Sequence, residues 1–144
     1  MMKKIISALF AINLLLFSVH ADDADYYRQR GVEELKRAQF DKAIEFFKLS
    51  LNYNRRNPAT FIYLASAYNQ LKKYEEAIKY AKEAIAINGQ AAEAYYLLGA
   101  AQISLKEYGA AKMNLERALR IFRDKKVDQG FYETRNLLNQ IPKQ

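Results

Sequence analysis

Apolar positions along this chain fall into helical periods grouped in pairs. The clearest pair spans 58–91. Phe61, Leu64, Ala65 and Tyr68 recur there at i, i+3, i+4 and i+7, and Ala77, Ile78, Ala81, Ala84 and Ile85 keep the same spacing. Lys72-Lys73 makes a polar turn between them. The same pattern extends on both sides and predicts helices over about 25–37, 41–54, 58–71, 75–87, 92–105 and 109–122. Asp41 is a candidate N-cap, Pro58 suits a first helical position, and Asn88-Gly89 reads as a stop signal. A seventh helix, over about 127–140, carries Val127, Phe131, Leu138 and Ile141 opposite a polar side of Gln129, Glu133, Asn136 and Gln140. It suits a cap on the open end of a stack.

The three pairs superimpose at a step of 34 residues without insertion. Tyr27, Phe61 and Tyr95 align, as do Gly31, Ala65 and Gly99. Phe40, Tyr74 and Tyr108 form a third class, Ala43, Ala77 and Ala111 a fourth, and Ser50, Ala84 and Ala118 a fifth. Small residues recur where two helices must approach, and aromatics recur where a gap must be filled. Enlarging Ala77 would overpack that contact at a cost of about 1–3 kcal/mol. One pair has too little apolar surface to stand alone, so three stack into a continuous core. This arrangement resembles the tetratricopeptide repeat (TPR). The resemblance implies an all-α fold: a right-handed α-α superhelix of three helix pairs, at 22–57, 58–91 and 92–125, closed by a capping helix at 126–144. One departure is the proline, which the family usually places where Arg55 stands.

Residues 1–21 read differently. Lys3 and Lys4 precede an apolar run from Ile5 to Phe17, and Val19-His20-Ala21 offers a cleavage site. This is the layout of a secretory signal peptide, and the run is short for a bilayer span, which needs about 20 residues. Export is therefore expected, to a bacterial periplasm, with secretion or an uncleaved inner-membrane anchor as alternatives. Cleavage would remove two of the 23 basic residues and the single His, leaving a positive chain against 16 acidic residues. There is no Cys, so no disulfide can form and helix packing must carry stability.

Chemistry finds few candidates. Without Cys, and with one His outside the repeats, the usual nucleophile–base pairs and zinc sets are missing. No glycine-rich phosphate loop occurs, and Glu33-Glu34 and Glu75-Glu76 read as solvated pairs. No enzyme, metal or cofactor is expected. Arg117, Arg120, Arg123, Lys125 and Lys126 form a basic cluster. It reads as a solvated face, partly paired by Glu116 to Arg120, with a membrane surface of anionic lipid or another polyanion as the alternative partner and nucleic acid not expected.

The resemblance points to the first helix of each pair, which in the family lines a concave groove holding a peptide or helix. On this register the lining is Arg28, Val32, Leu35 and Lys36; then Ala59, Ile62, Tyr63, Ser66, Asn69 and Gln70; then Glu93, Tyr96, Leu97, Ala100, Ile103 and Ser104. Many are apolar outside the repeating core classes, which implies that a partner covers them. Ile62, Tyr63, Tyr96 and Ile103 are expected to supply contact, and Arg28 and Glu93 orientation. Chaperone-binding members grip a C-terminal carboxylate with Lys and Asn side chains. The matching places here hold Arg28, Val32, Tyr63, Glu93 and Leu97, so that clamp is absent and its role is not expected. The function expected is non-catalytic protein binding, as an adaptor or assembly scaffold. A self-associating homo-oligomer of an envelope complex is the alternative from another class.

Overall fold

The computed structural model describes residues 23–142. The signal-peptide segment expected over 1–21 lies outside the described residues. Seven helices and no strand occur among the described residues. They are α1 (23–36), α2 (Phe40–Tyr53), α3 (Pro58–Gln70), α4 (Tyr74–Ile87), α5 (Ala92–Ser104), α6 (Tyr108–Asp124) and α7 (Asp128–Leu138).

Two kinds of turn connect them, and each has a local cause. The α1, α3 and α5 ends each close through one residue in the left-handed region: Ala38, Lys72 and Lys106, at φ 58, 58 and 61°. Behind each, a backbone N–H reaches back over the last turn, from Gln39 to Glu34 O, Lys73 to Tyr68 O and Glu107 to Gln102 O, at 2.9, 2.9 and 2.8 Å. This 6→1 bond is the Schellman closure. The α2 and α4 ends differ. Asn54 and Asn88 turn extended, both at φ −134°. Their side chains then accept from Arg56 N and Gln90 N at 3.2 and 3.0 Å. Asn88 itself therefore stops α4, and Gly89 does not adopt positive φ.

The aligned third position is Phe122, which has no amide to make that turn. So α6 runs on to Asp124, past the end expected at 122, and closes with the Schellman turn instead, through Lys126 at φ 56° and Val127 N to Phe122 O at 2.9 Å. At the starts, only Asn57 among the caps of α2–α7 bonds through its side chain, accepting from Ala59 N and Thr60 N, with Pro58 following. Asp41 is not the cap of α2: Gln39 holds that place without a side-chain bond, and Asp41 sits in the first turn, where its charge favours the dipole.

Packing follows the alignment. Ala43, Ala77 and Ala111 are fully buried, and Gly31, Ala65 and Gly99 lie at tight crossings. A Cβ at Gly31 would stand 2.5 Å from the Phe47 ring, and one at Gly99 would stand 2.6 Å from Leu115. Glu34, expected to be solvated, is buried and paired with Arg37 at 2.9 Å. Ser50 donates to Ala24 O at 2.8 Å and lies 3.4 Å from Thr60, tying α1, α2 and α3 together.

The contacts between elements define the curvature. Helix α3 packs on α2, α4 and α5, and α5 packs on α3, α4, α6 and α7. Among the described residues, α2 and α4 do not meet, nor do α4 and α6. Helices α3 and α5 thus touch across the repeat step while their even-numbered neighbours do not. The stack therefore bends with α3 and α5 on its inner side.

Candidate functional site

The residues expected to line a groove lie on α1, α3 and α5, and most of them are half-buried. Val32 and Leu35 pack against the cluster of Ala43, Ile44, Phe47 and Leu64. Tyr63 stacks on Phe47, with ring centroids 5.4 Å apart and planes at 10°. Ile62 lies against Ala84, Ala91 and Ala94, and Leu97 against Ala65, Ala81 and Leu98. Ser66, Ala100 and Ile103 are also half-buried, as is Ala59, whereas Lys36, Gln70, Glu93 and Ser104 are exposed. None of the most exposed large apolar side chains, such as Met113, Tyr132 and Tyr26, belongs to this set. The face is thus less openly apolar than the sequence suggests, because neighbouring helices share its larger side chains.

Its polar groups divide between bonded and free. Asn69 Nδ2 donates to Leu97 O at 3.1 Å, bridging α3 to α5. Arg28 pairs with Asp25 at 2.7 Å. Among the described residues, Asn69 Oδ1 and Arg28 Nε are buried without a hydrogen-bond partner. Helix α7 packs on α6 and touches α5 but does not reach α3, so it does not lie across the face.

At the α7 end of this face is a cavity of about 210 Å³, lined by Glu93, Tyr96, Phe122, Val127, Gln129, Gly130 and Glu133. Tyr96 packs on the cluster of Ala92, Ala118, Ile121 and Phe122. Burial, and then the nearby Glu133 carboxylate, hold its hydroxyl above the ordinary tyrosine range. Glu133 accepts from Gln129 Nε2 at 2.9 Å. Sequence reading placed Gln129 and Glu133 on a solvated side and missed this juxtaposition. The signal was Gly130 inside a helical stretch. A Cβ there would stand 2.5 Å from Phe122, so glycine lets α7 close on α6 and brings Glu133 to the same cavity as Glu93. A second cavity, about 680 Å³ and lined by Tyr108, Lys112, Leu138 and Ile141 among others, lies between α6 and the end of α7.

No group of His, Cys, Asp or Glu that could hold a metal occurs among the described residues. No helix of the described residues is long and apolar enough to cross a membrane. In the basic cluster, Lys125 donates to Gln90 O at 2.7 Å and Arg123 stands 3.6 Å from Asp124. The expected Glu116–Arg120 pair is not formed among the described residues.

Residues 36–118 match the family model described as anaphase-promoting complex, cyclosome, subunit 3. The chain belongs to that family of tetratricopeptide repeats. RNA polymerase II-associated protein 3 of Xenopus tropicalis is 32% identical over 127 residues, covering 88% of this chain and 18% of that protein. Heat shock protein STI1 of Saccharomyces cerevisiae is 31% identical over 99 residues, covering 68% of this chain and 17% of that protein. This TPR chain therefore spans less than a fifth of the length of these relatives. Among solved structures, the first TPR domain of Spaghetti (RPAP3) bound to the HSP90 peptide SRMEEVD superimposes with a TM-score of 0.76 at 28% identity, covering 84% of this chain and 91% of that one. TPR domains are non-catalytic interaction modules. The matches correct one expectation. These relatives are cochaperone-type proteins associated with RNA polymerase II and with heat-shock chaperones, not exported ones, so the periplasmic placement read from residues 1–21 does not hold.

Proposed function

We propose that the inner face of α1, α3 and α5 holds an extended or helical segment of a partner protein and that the chain acts without catalysis, as an adaptor. The supporting observation is that, among the described residues, α7 stops at α5 and does not reach α3. A groove with half-buried apolar floor and free polar atoms suits a segment whose side chains reach between helices while its backbone meets side-chain amides. The Spaghetti domain, bound to a short HSP90 peptide, supports the same mode of use.

Tyr63 and Tyr96 hold the fold as well as the face, so replacing them would confuse binding with stability. A photo-cross-linking residue at Ala100, on the inner face, separates the two. In the cell of origin it should capture one dominant protein. The same residue at Met113, which is 73% exposed on α6, should not. Equal capture at both positions, or none at Ala100, overturns the groove reading.

A further inference from the structure

Resting on that groove reading, the chemistry of one occupant side chain can be named. Glu93 comes from α5 and Glu133 from α7, two elements far apart in sequence, yet they line one cavity with Tyr96 and Phe122 between them. Glu93 is exposed and, among the described residues, neither carboxylate has an ion-pair partner. Glu133 accepts from the Gln129 amide. The floor is aromatic and the rim is anionic. That combination matches a long cationic side chain, whose methylene stem lies along the rings while its head meets the carboxylates. The opposite end of the face carries Arg28, already neutralised by Asp25, so the negative charge of the face is concentrated at the α5–α7 end. We infer that this cavity takes a Lys or Arg side chain of the docked partner segment, making the groove selective for basic rather than acidic peptides.

Such a preference sets this chain apart from its structural neighbour. The peptide held by the Spaghetti domain, SRMEEVD, ends in three acidic residues out of four. An acidic tail laid beside Glu93 and Glu133 would meet like charge, which disfavours it without any steric clash.

The test selects binders from a random twelve-residue peptide library on the full chain and measures the best of them, fluorescently labelled, by anisotropy. Selected peptides should carry Lys or Arg at one recurrent position and bind at least tenfold tighter than SRMEEVD. The Glu93→Lys/Glu133→Lys protein should lose at least tenfold for them, and raised salt should narrow the gap. Both glutamates are exposed, so the variant should keep its helical circular dichroism and melting temperature. An Ala100→Trp protein, which fills the groove at a distance from the carboxylates, reports on the groove alone. Selected peptides that are acidic or uncharged, or that ignore the double charge reversal while still lost in Ala100→Trp, overturn the cationic pocket and leave the groove intact. Peptides indifferent to Ala100→Trp overturn the groove reading, and a library without binders overturns both.

Discussion

The second and third helix pairs reach one geometry through different chemistry. In the second, Ala65 faces Ala81, and Tyr80 fills the layer beside them by stacking on Tyr68 at 5.3 Å and on Phe61 at 6.2 Å. One step of the repeat later, Gly99 faces Leu115, and the places of Tyr68 and Tyr80 are taken by Gln102 and Asn114. These two amides bond at 2.7 Å, and Gln102 reaches on to Glu107 at 3.2 Å. Volume lost in one layer is regained in the next, and a ring stack is exchanged for a hydrogen bond. The repeat therefore fixes where helices cross, and each crossing is then filled as a unit. Substitutions at aligned positions should have unequal effects.

The largest difference is expected at the crossing itself. Gly99→Ala places a methyl carbon 2.6 Å from Leu115 Cγ, so the fully buried Leu115 must change its χ1 or a helix must move. It should destabilise by about 1–3 kcal/mol. The reverse change in the second pair, Ala65→Gly, removes a methyl from a gap lined by Ala81 and costs about 1 kcal/mol through helix propensity. Urea midpoints compare the two directly. A Gly99→Ala/Leu115→Ala double variant should lose less than the sum of its single changes, because the second change removes the atoms the first one strikes. Strict additivity would show that the crossing is not filled as a unit.

The two pairs also differ in how far their packing was legible in the sequence. The crossings could be read because Gly31, Ala65 and Gly99 share one register, and a small residue returning at a fixed period marks a place where backbones approach. The partners of those residues could not. Phe47, Ala81 and Leu115 share a register too, yet differ in size, so an alignment by residue class passes over them. The groove positions were proposed from the register alone, and the register did not show how buried they are, since Tyr63 lies on Phe47 of the preceding pair. The cavity was hidden for a related reason. Glu133 belongs to α7, which stands outside the period, and its meeting with Glu93 depends on Phe122 failing to stop α6.

Alkaline pH sharpens the contrast, because the second pair stacks two phenols where the third has two amides. Tyr80 is held above the ordinary tyrosine value first by burial and then by Tyr68. A raised folded value means that its contribution to stability is complete below the unfolded pKa of about 10 and is lost as pH climbs through the folded value. Tyr96, raised by burial and then by Glu133, adds a loss of the same sign. Melting temperature should thus fall as pH rises above about 10, and Tyr80→Phe should flatten part of that fall while leaving neutral-pH helicity in place. An unchanged slope in Tyr80→Phe would remove this tyrosine from the account. Gln102 and Asn114 do not titrate, so variants of these two residues should leave the slope as it is.

The smallest effect is expected where the two pairs agree. Lys72 and Lys106 occupy the same left-handed turn position, at φ 58 and 61°, and both are exposed. A side chain with a Cβ is strained there by about 1 kcal/mol, whereas glycine is not. Glycine also gains freedom in the unfolded chain, which opposes the benefit by a similar amount. Strain relief should prevail slightly, since the Schellman bonds behind each residue hold the turn at that φ regardless of side chain. Lys72→Gly and Lys106→Gly should each raise stability by no more than about 0.5 kcal/mol, read from the urea midpoint, and by equal amounts. Equality is the sharper part of this expectation. If the third pair gained and the second did not, the turn would be set by the packing of Tyr68 or Gln102 above it, and the shared geometry would be a product of the core rather than of the backbone.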